Sequence, residues 1–418
     1  MNIQTLDRAV AEDAALRRRQ MLQPAGGKGD KIFPPTYPAS EAMKRFVGEK
    51  YAAPRHVYER RRLNGHEIWC VLIDSVQSQA NRLEECLMQA ARDKMSIPRV
   101  VVDFSKSGLD GITEITSLDA PHRVYDAILR DSLLNGEPFM NSDVGKRLVK
   151  AKPEDATALL EISPTALLFG AWHSTGAGGG FGAKFSRCLI SEIVGIDVPV
   201  DDVMVNQRTG ESEAQTAGRR TRSRIDPLGV LRRVDVYKGK SGWSTTPAGA
   251  GEKAQKVRPS EINHGNIAPS VQPLGVTCDH IEHSFVLSFA ALRRLRIGES
   301  RRDATARSLL AALGLVALAE QDARGYALRS RCDLVCEGRA GLELVHADGA
   351  TETISLERET ARTLYREALN AAQEVGFSFS PEPLRLTPQE QLVAIVRQSQ
   401  ELVLLGKGGE AEDAGDDK

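Results

Sequence analysis

The pattern of apolar and polar residues predicts both strands and helices along the chain. His66–Asp74 and Arg99–Phe104 are short apolar runs with several β-branched residues, which is typical of buried strands. The segment between them, Gln79–Met95, carries apolar residues at four-residue spacing and is predicted to be a helix. Together these three segments predict a strand–helix–strand unit.

The rest of the chain continues the same mixture of elements. Further strands are predicted at Thr165–Trp172, Cys188–Val198 and Ser284–Phe289, and a pair of strands at Leu328–Glu337 and Leu342–His346. Further helices are predicted at residues 1–20, Arg123–Leu134, Arg302–Gln321, Leu356–Val375 and Pro388–Leu405. This order favours an α+β fold with helices on one face of a sheet. Ferredoxin-like and RRM-like folds are built in this way, and such sheets often bind nucleic acid.

Glycine, proline and charge runs predict the boundaries within the chain. We expect an N-terminal helix and linker at 1–56, an RRM-like core at 57–375 with an insertion at about 200–259, a C-terminal helix at 376–409, and a disordered acidic tail at 410–418.

Composition excludes some classes of protein. The 418 residues are 41% hydrophobic and 27% charged, which is ordinary for a chain that buries a core. The six cysteines are scattered without a CxxC pair, so a disulfide scaffold is not expected. The N-terminus is charged throughout, and the sequence has no apolar run long enough to span a bilayer. We therefore predict a cytoplasmic protein without a membrane partner.

A net charge of −1 conceals a strongly basic segment. Arg208–Arg258 contains twelve Lys or Arg and five Asp or Glu, a local net charge of +7. Its densest part holds Arg219, Arg220, Arg222 and Arg224 within six residues. Arginine pairs with phosphate oxygens and stacks on bases, and Tyr237 and Trp243 nearby add stacking faces. A solvated loop without a ligand is the alternative.

A glycine-rich loop gives a second indication of polyanion binding. Five glycines lie between Gly176 and Gly182, where bare backbone N–H groups can approach a phosphate. Trp172 and His173 precede the loop, and Lys184 and Arg187 follow it. The segment lacks the GK[ST] ending of a phosphate-binding P-loop. A dinucleotide site is disfavoured too, because the residues after the loop are rich in Ile and Val rather than helix formers.

A polar cluster, Arg258–Ile267, follows the basic segment. Asn263, His264 and Asn266 could contact base edges or sugar hydroxyls. Asx-turns that bond their own backbone are the alternative.

Metal and catalytic sites are less well supported. Cys278, His280 and His283 form a CxHxxH run that matches no common zinc spacing. Asp103, at the end of a predicted strand, is expected to cap its own turn. We predict no catalytic residue, no metal and no cofactor.

Four motifs carry a family resemblance: Phe169–Thr175, Lys184–Arg187, Ser191–Gly195 and Arg258–Asn266. The chain resembles, over roughly 57–375, the backbone RAMP subunit of type I-G (formerly I-U) CRISPR surveillance complexes. The resemblance implies a non-catalytic protein with a modified RRM core and a projecting thumb, for which the 200–259 insertion is the candidate. Repeated copies would coat a guide RNA and present it to target DNA, beside other CRISPR effector subunits.

The site expected on this basis combines phosphate contacts with base contacts. Lys184, Arg187, Arg219, Arg220, Arg222, Arg224 and Arg258 would bind phosphate, Trp172 and His173 would stack on or position a base, and Asn263, His264 and Asn266 would contact RNA. Two enzymatic alternatives stay open. One is a metal-dependent ribonuclease of the RAMP superfamily that uses Asp103 or the His280/His283 region, and the other is a nucleotide-dependent oxidoreductase at the glycine loop.

Overall fold

The structure is a computed structural model. It describes residues 1–39, 41, 44, 45, 55–173, 184–200, 202–205, 212–215, 219–221, 228–230, 233–265, 270–272 and 274–404. For 202–205, 212–215, 219–221 and 270–272, only the backbone is described.

The helices and strands are as follows. The α-helices are α1 (Ile3–Glu12), α2 (Val76–Arg92), α3 (Ala127–Arg130), α4 (Asp143–Lys150), α5 (Thr157–Ile162), α6 (Thr165–Phe169), α7 (Pro247–Ala250), α8 (Phe289–Arg293), α9 (Ser300–Arg324), α10 (Arg358–Glu374) and α11 (Glu390–Leu404). The strands are β1 (Ala15–Pro24), β2 (Tyr58–Leu63), β3 (His66–Asp74), β4 (Val100–Asp103), β5 (Glu114–Thr116), β6 (Ser132–Leu134), β7 (Glu137–Pro138), β8 (Ala171–Trp172), β9 (Lys184–Phe185), β10 (Leu189–Ile196), β11 (Asp202–Val205), β12 (Ser212–Gln215), β13 (Arg219–Thr221), β14 (Val236–Gly239), β15 (Gly242–Ser244), β16 (Gln255–Val257), β17 (Ser270–Gln272), β18 (His280–Ser288), β19 (Tyr326–Arg329), β20 (Cys332–Cys336), β21 (Leu342–Val345), β22 (Thr351–Ile354) and β23 (Leu384–Pro388). This mixture confirms the α+β class.

The chain divides into two compact units, each made of pieces that are distant in sequence. The first unit comprises Met1–Lys28, Ile73–Gly195 and His280–Lys418, and the second comprises Gly29–Leu72 and Ile196–Asp279. The domain boundaries predicted from the sequence stay predictions.

An antiparallel sheet in the first unit is organised around β1. Its strand order is β19-β20-β1-β18-β10, and β21 pairs with both β1 and β22. The register of β1 with β18 runs from Ala15 opposite Ser288 to Leu22 opposite Ile281. The helix predicted over residues 1–20 was therefore wrong beyond Glu12. Alternate residues of β1 face inward, but two of them, Arg18 and Gln20, are polar and hide the strand pattern.

The long helix α9 lies at the centre of the first unit. Its middle, from Ser308 to Ala319, is buried on every side, so it has no exposed polar face. It packs against α1, α2 and α10. A Cβ at Gly314 would lie 3.1 Å from the Leu189 side chain, which shows how closely the helix approaches β10.

A second sheet in the first unit has the order β5-β4-β23-β6-β7. The strands and the helix of the predicted strand–helix–strand unit are all present, but β4 pairs with β5 and, in parallel, with β23. The predicted pairing of Leu328–Glu337 with Leu342–His346 was wrong. β20 instead pairs with β19 and β1, while β21 pairs with β1 and β22.

Short antiparallel ladders make up most of the regular structure in the second unit. They are the β2–β3 hairpin, the pairs β11–β12 and β13–β17, and the three-stranded sheet β15-β14-β16. The described parts of the basic segment thus contain strands that its sequence pattern did not predict.

Candidate nucleic-acid interface

A cleft of about 650 Å³ opens in the first unit, between the start of α2 and the β8–β9 ladder. The end of α6 and Ile190 of β10 also border it. Its polar and aromatic lining residues are Gln77, Asn81, His122, Arg123, Phe169, Trp172, Lys184, Phe185, Ser186 and Arg187. The cleft therefore brings together three residues predicted from the sequence, Trp172, Lys184 and Arg187.

Gly170 sets the geometry of this cleft. The run Thr165–Phe169 forms the helix α6 rather than the predicted strand, and Gly170 ends it at φ 83° and ψ 152°. A Cβ at Gly170 would lie 3.0 Å from the Phe185 carbonyl oxygen and 3.1 Å from Arg187 Cγ. Because that approach needs a glycine, β8 and β9 can pair directly after the helix, with Trp172 opposite Lys184.

A buried ion pair supports the same turn from beneath. Arg123 donates two hydrogen bonds of 2.7 Å to the Glu84 carboxylate and a third, of 2.9 Å, to the Gly170 carbonyl oxygen. Burial raises the pKa of Glu84 to about 7, although Arg123 acts in the opposite direction. Arg123 thus connects helix α2 to the turn that carries Trp172.

The open side of the cleft presents an aromatic face and two cations. Trp172 is 52% exposed. The Lys184 ammonium lies 5.7 Å from the centroid of the Trp172 ring, and Arg187 is exposed beside it. An exposed indole can stack on a base, while neighbouring cations bind the adjoining phosphates. This combination suits a single-stranded nucleic acid.

His173 has a different position from its neighbour Trp172. It is buried, and its ring stacks on Tyr125 with centroids 4.9 Å apart. Burial and the nearby Arg130 lower the pKa of His173, which favours the neutral imidazole. A direct contact of His173 with RNA stays a prediction.

A second group of predicted residues lies in the second unit. Trp243 and Lys238 are opposite one another on β15 and β14, so their side chains share one face of that small sheet. Trp243 is exposed and meets His264 edge to face, with ring centroids 5.5 Å apart. Arg258 is exposed, and Asn263 ends the following 3₁₀ helix at φ 62°.

Not every cation of the basic segment is available to a ligand. Lys240 pairs with Glu252 at 2.7 Å, and Lys256 pairs with Asp235 at 2.6 Å. Arg219 and Arg220 lie on β13, which pairs with β17, and only their backbone is described. Arg222, Arg224, Asn266, the Gly176–Gly182 loop and the acidic tail lie outside the described residues.

The candidate catalytic groups have structural partners. Asp103 accepts a hydrogen bond of 2.9 Å from the Ser105 backbone N–H, which is the capping role that its position predicts. His283 is buried and hydrogen-bonds Ser191 at 2.7 Å and Tyr326 at 3.0 Å. Within the described part of the chain, no three His, Cys, Asp or Glu side chains form a group that could hold a metal ion.

Sequence reasoning missed the pair of Glu84 and Arg123. Glu84 falls at the same helical spacing as Ala80, Leu87 and Ala91, which all face the core. A carboxylate at a core-facing position needs a buried partner. The position of Glu84 on its helix was therefore a sign in the sequence that a buried cation lies nearby. Nothing local to Arg123 identified it as that partner.

The described residues thus form an α+β protein with a cationic cleft that exposes one indole. Residues 16–200 match the model of a family described as CRISPR-associated protein GSU0053 (Cas_GSU0053). The match covers less than half of the chain but includes Trp172, Lys184, Arg187 and the Glu84–Arg123 pair. It supports a CRISPR-associated protein with a role in CRISPR defence. Comparison with curated proteins gave no match. Among the described residues, no helix is both long and apolar enough to cross a membrane.

Proposed function

We propose that this protein is a non-catalytic RNA-binding subunit that coats a CRISPR guide RNA in a type I surveillance complex, of subtype I-G. The observation that carries the proposal is the cleft, with exposed Trp172 beside Lys184 and Arg187, inside the segment that matches a CRISPR-associated family.

The cleft supplies the two kinds of contact that a single strand needs. A base would stack on the open face of Trp172, and Lys184 and Arg187 would bind the phosphates on either side of it. Arg123 and Glu84 would hold the turn in place without touching RNA. None of these contacts depends on base identity, so the bases remain available for pairing with target DNA, and pairing selects the sequence.

The second unit would add contacts along the same guide. Trp243, Lys238 and His264 form an aromatic and basic surface of the same type as the cleft, and we include the exposed Arg258 as a further phosphate contact. We include Arg219, Arg220, Arg222 and Arg224 as phosphate contacts and the surrounding insertion as the thumb of an RRM-like RAMP core. Successive copies of the chain, together with other effector subunits in the cytoplasm, would cover the guide.

The experiment that tests this proposal compares cleft variants in RNA binding. Trp172→Ala removes an exposed stacking face and should weaken binding of a labelled poly-uridine RNA by about 1–3 kcal/mol. Lys184→Gln/Arg187→Gln should reduce the slope of log K against log salt by about 1.4, because each single-strand phosphate contact contributes about 0.7. Fluorescence anisotropy at several salt concentrations gives both quantities.

A matched control uses exposed cations of the first unit that lie outside the cleft. Arg8→Gln/Arg92→Gln makes the same change in net charge and should preserve the wild-type slope. Equal losses in control and cleft variants would show a general charge effect and contradict the cleft assignment. Magnesium-dependent shortening of the RNA that Asp103→Ala abolishes would instead support the ribonuclease alternative.

A further inference from the structure

A second basic surface lies in the first unit, outside the cleft. Arg293–Arg307, which we call the arginine corner, runs from the end of α8 into the first turns of α9. It contains six arginines and two acidic residues, a net charge of +4 within fifteen residues. It contains no aromatic residue.

Three of these arginines have clear structural roles. Arg293 donates to the carbonyl oxygens of Val10 and Asp13, at 2.7 and 2.8 Å, and so caps the end of α1. Arg296 pairs with the buried Asp303 at 3.0 Å. Arg307 donates to the Leu295 carbonyl oxygen at 2.7 Å. A fourth, Arg302, lies 4.2 Å from the centroid of the Phe377 ring.

Arg294 and Arg301 are the remaining two arginines. Both side chains are exposed and, within the described part of the chain, make no hydrogen bond or ion pair. The neighbouring segment carries two exposed lysines, Lys150 and Lys152, and two exposed acids, Glu154 and Asp155, so it adds no net charge. It is held beside the corner by a hydrogen bond of 2.8 Å from the Arg296 backbone N–H to the Pro153 carbonyl oxygen. Arg294 and Arg301 are therefore exposed cations that packing does not require.

The arginine corner contains unfavourable as well as favourable charge contacts. Burial lowers the pKa of Arg307, the adjacent Asp303 carboxylate raises it, and repulsion from Arg296 and Arg293 lowers it. Arg301 also lies in the first turn of α9, where the helix dipole disfavours a cation. A bound polyanion would relieve this repulsion and release counterions.

We infer that the arginine corner binds the phosphate backbone of a nucleic acid, as a contact separate from the cleft. Arginine forks match phosphate oxygens, and the lack of an aromatic face excludes base stacking within this segment. The contact is therefore independent of sequence. This inference takes from the proposed function only that the partner is a nucleic acid.

The test neutralises the two unpaired arginines of the corner. Arg294→Gln/Arg301→Gln should reduce the salt slope for poly-uridine RNA by about 1.4, as two lost phosphate contacts require. Arg8→Gln/Arg92→Gln is again the charge-matched control and should keep the wild-type slope. The double variant should be no less stable than the wild type in thermal unfolding, because within the described residues neither side chain makes a hydrogen bond or ion pair and Arg301 opposes the dipole of α9.

Measuring the cleft variant Lys184→Gln/Arg187→Gln in parallel separates the two proposals. A reduced slope in the corner variant with a wild-type slope in the cleft variant supports the corner and contradicts the proposed function. The opposite result overturns the corner and leaves the proposed function standing. Poly-glutamate serves as a model of an acidic protein partner. If the corner variant bound RNA like the wild type but lost poly-glutamate binding, the assignment of the corner to a nucleic acid would be overturned in favour of an acidic protein.

Discussion

At the scale of single residues, the cleft depends on buried polar contacts. Arg123 donates hydrogen bonds to the Glu84 carboxylate and to the Gly170 carbonyl oxygen, and so holds the turn that carries Trp172. A buried carboxylate that loses such a partner costs free energy.

His283 shows how the same kind of buried contact affects stability. Burial and the positive charge of Arg18 lower the pKa of His283 to about 3. An unfolded histidine takes up a proton near pH 6.5, whereas the folded protein keeps His283 neutral far below that pH. The contribution of His283 to stability is therefore complete above pH 6.5 and is lost progressively as the pH falls toward 3.

We expect His283→Gln to remove this part of the pH dependence. Between pH 6 and pH 4, the free energy of unfolding of the wild type should fall more steeply than that of the variant, by about 1.4 kcal/mol per pH unit. Urea unfolding at several pH values measures both slopes. The exposed-residue control His66→Gln should follow the wild type, and parallel curves for wild type and His283→Gln would contradict the prediction.

Exposed site residues were predictable from the sequence, whereas buried ones were not. Trp172, Lys184 and Arg187 were predicted because an aromatic residue and cations flank a glycine-rich loop, and the structure places them around one cleft. The bonds from Arg123 to Glu84 and to Gly170 join residues that are far apart in sequence. No local pattern encodes such contacts, since they depend on how α2 packs against the end of α6.

At the scale of elements, the long periodic segments were predicted well and the short apolar ones less well. The helices at 76–92, 300–324, 358–374 and 390–404 and the strands at 66–74, 189–196 and 280–288 lie close to their predicted positions. Thr165–Phe169 was wrongly predicted as strand, because a short apolar run that is wholly buried has no period that separates helix from strand. Gly170, which ends that helix at a positive φ, was the signal for a helix end.

Gly170 provides a test at this scale. Gly170→Ala should destabilise the protein through backbone strain and the clash with Phe185, and it should also weaken RNA binding by displacing Trp172. Gly325→Ala is a matched control, because Gly325 also follows a helix, at φ 80°, but has open space around its missing Cβ. Gly325→Ala should lower the free energy of unfolding only by the cost of backbone strain, roughly 1–3 kcal/mol, and should leave RNA binding unchanged.

Chemical unfolding and RNA anisotropy measure the two effects separately. Equal losses of stability in the two alanine variants, with RNA affinity unchanged in both, would mean that Gly170 does not position the cleft.

At the scale of the whole molecule, charge distribution was the informative property of the sequence. A net charge near zero conceals a basic segment and two groups of exposed cations, one in the cleft and one at the arginine corner. The α+β class followed from the order of elements. The two compact units did not, because each is assembled from segments that are distant along the chain, and hydrophobic periodicity carries no information about such contacts.

We propose that copies of this protein coat a guide RNA, and the mass of its RNA complexes distinguishes such a coat from the binding of a single copy. Size-exclusion chromatography with multi-angle light scattering would follow the protein mixed with synthetic guide RNAs of two lengths. We expect ribonuclease-sensitive complexes in which the number of protein copies rises in proportion to RNA length, and fewer copies for Lys184→Gln/Arg187→Gln. One copy on each RNA regardless of length, or a monomer that ignores both RNAs, would contradict it.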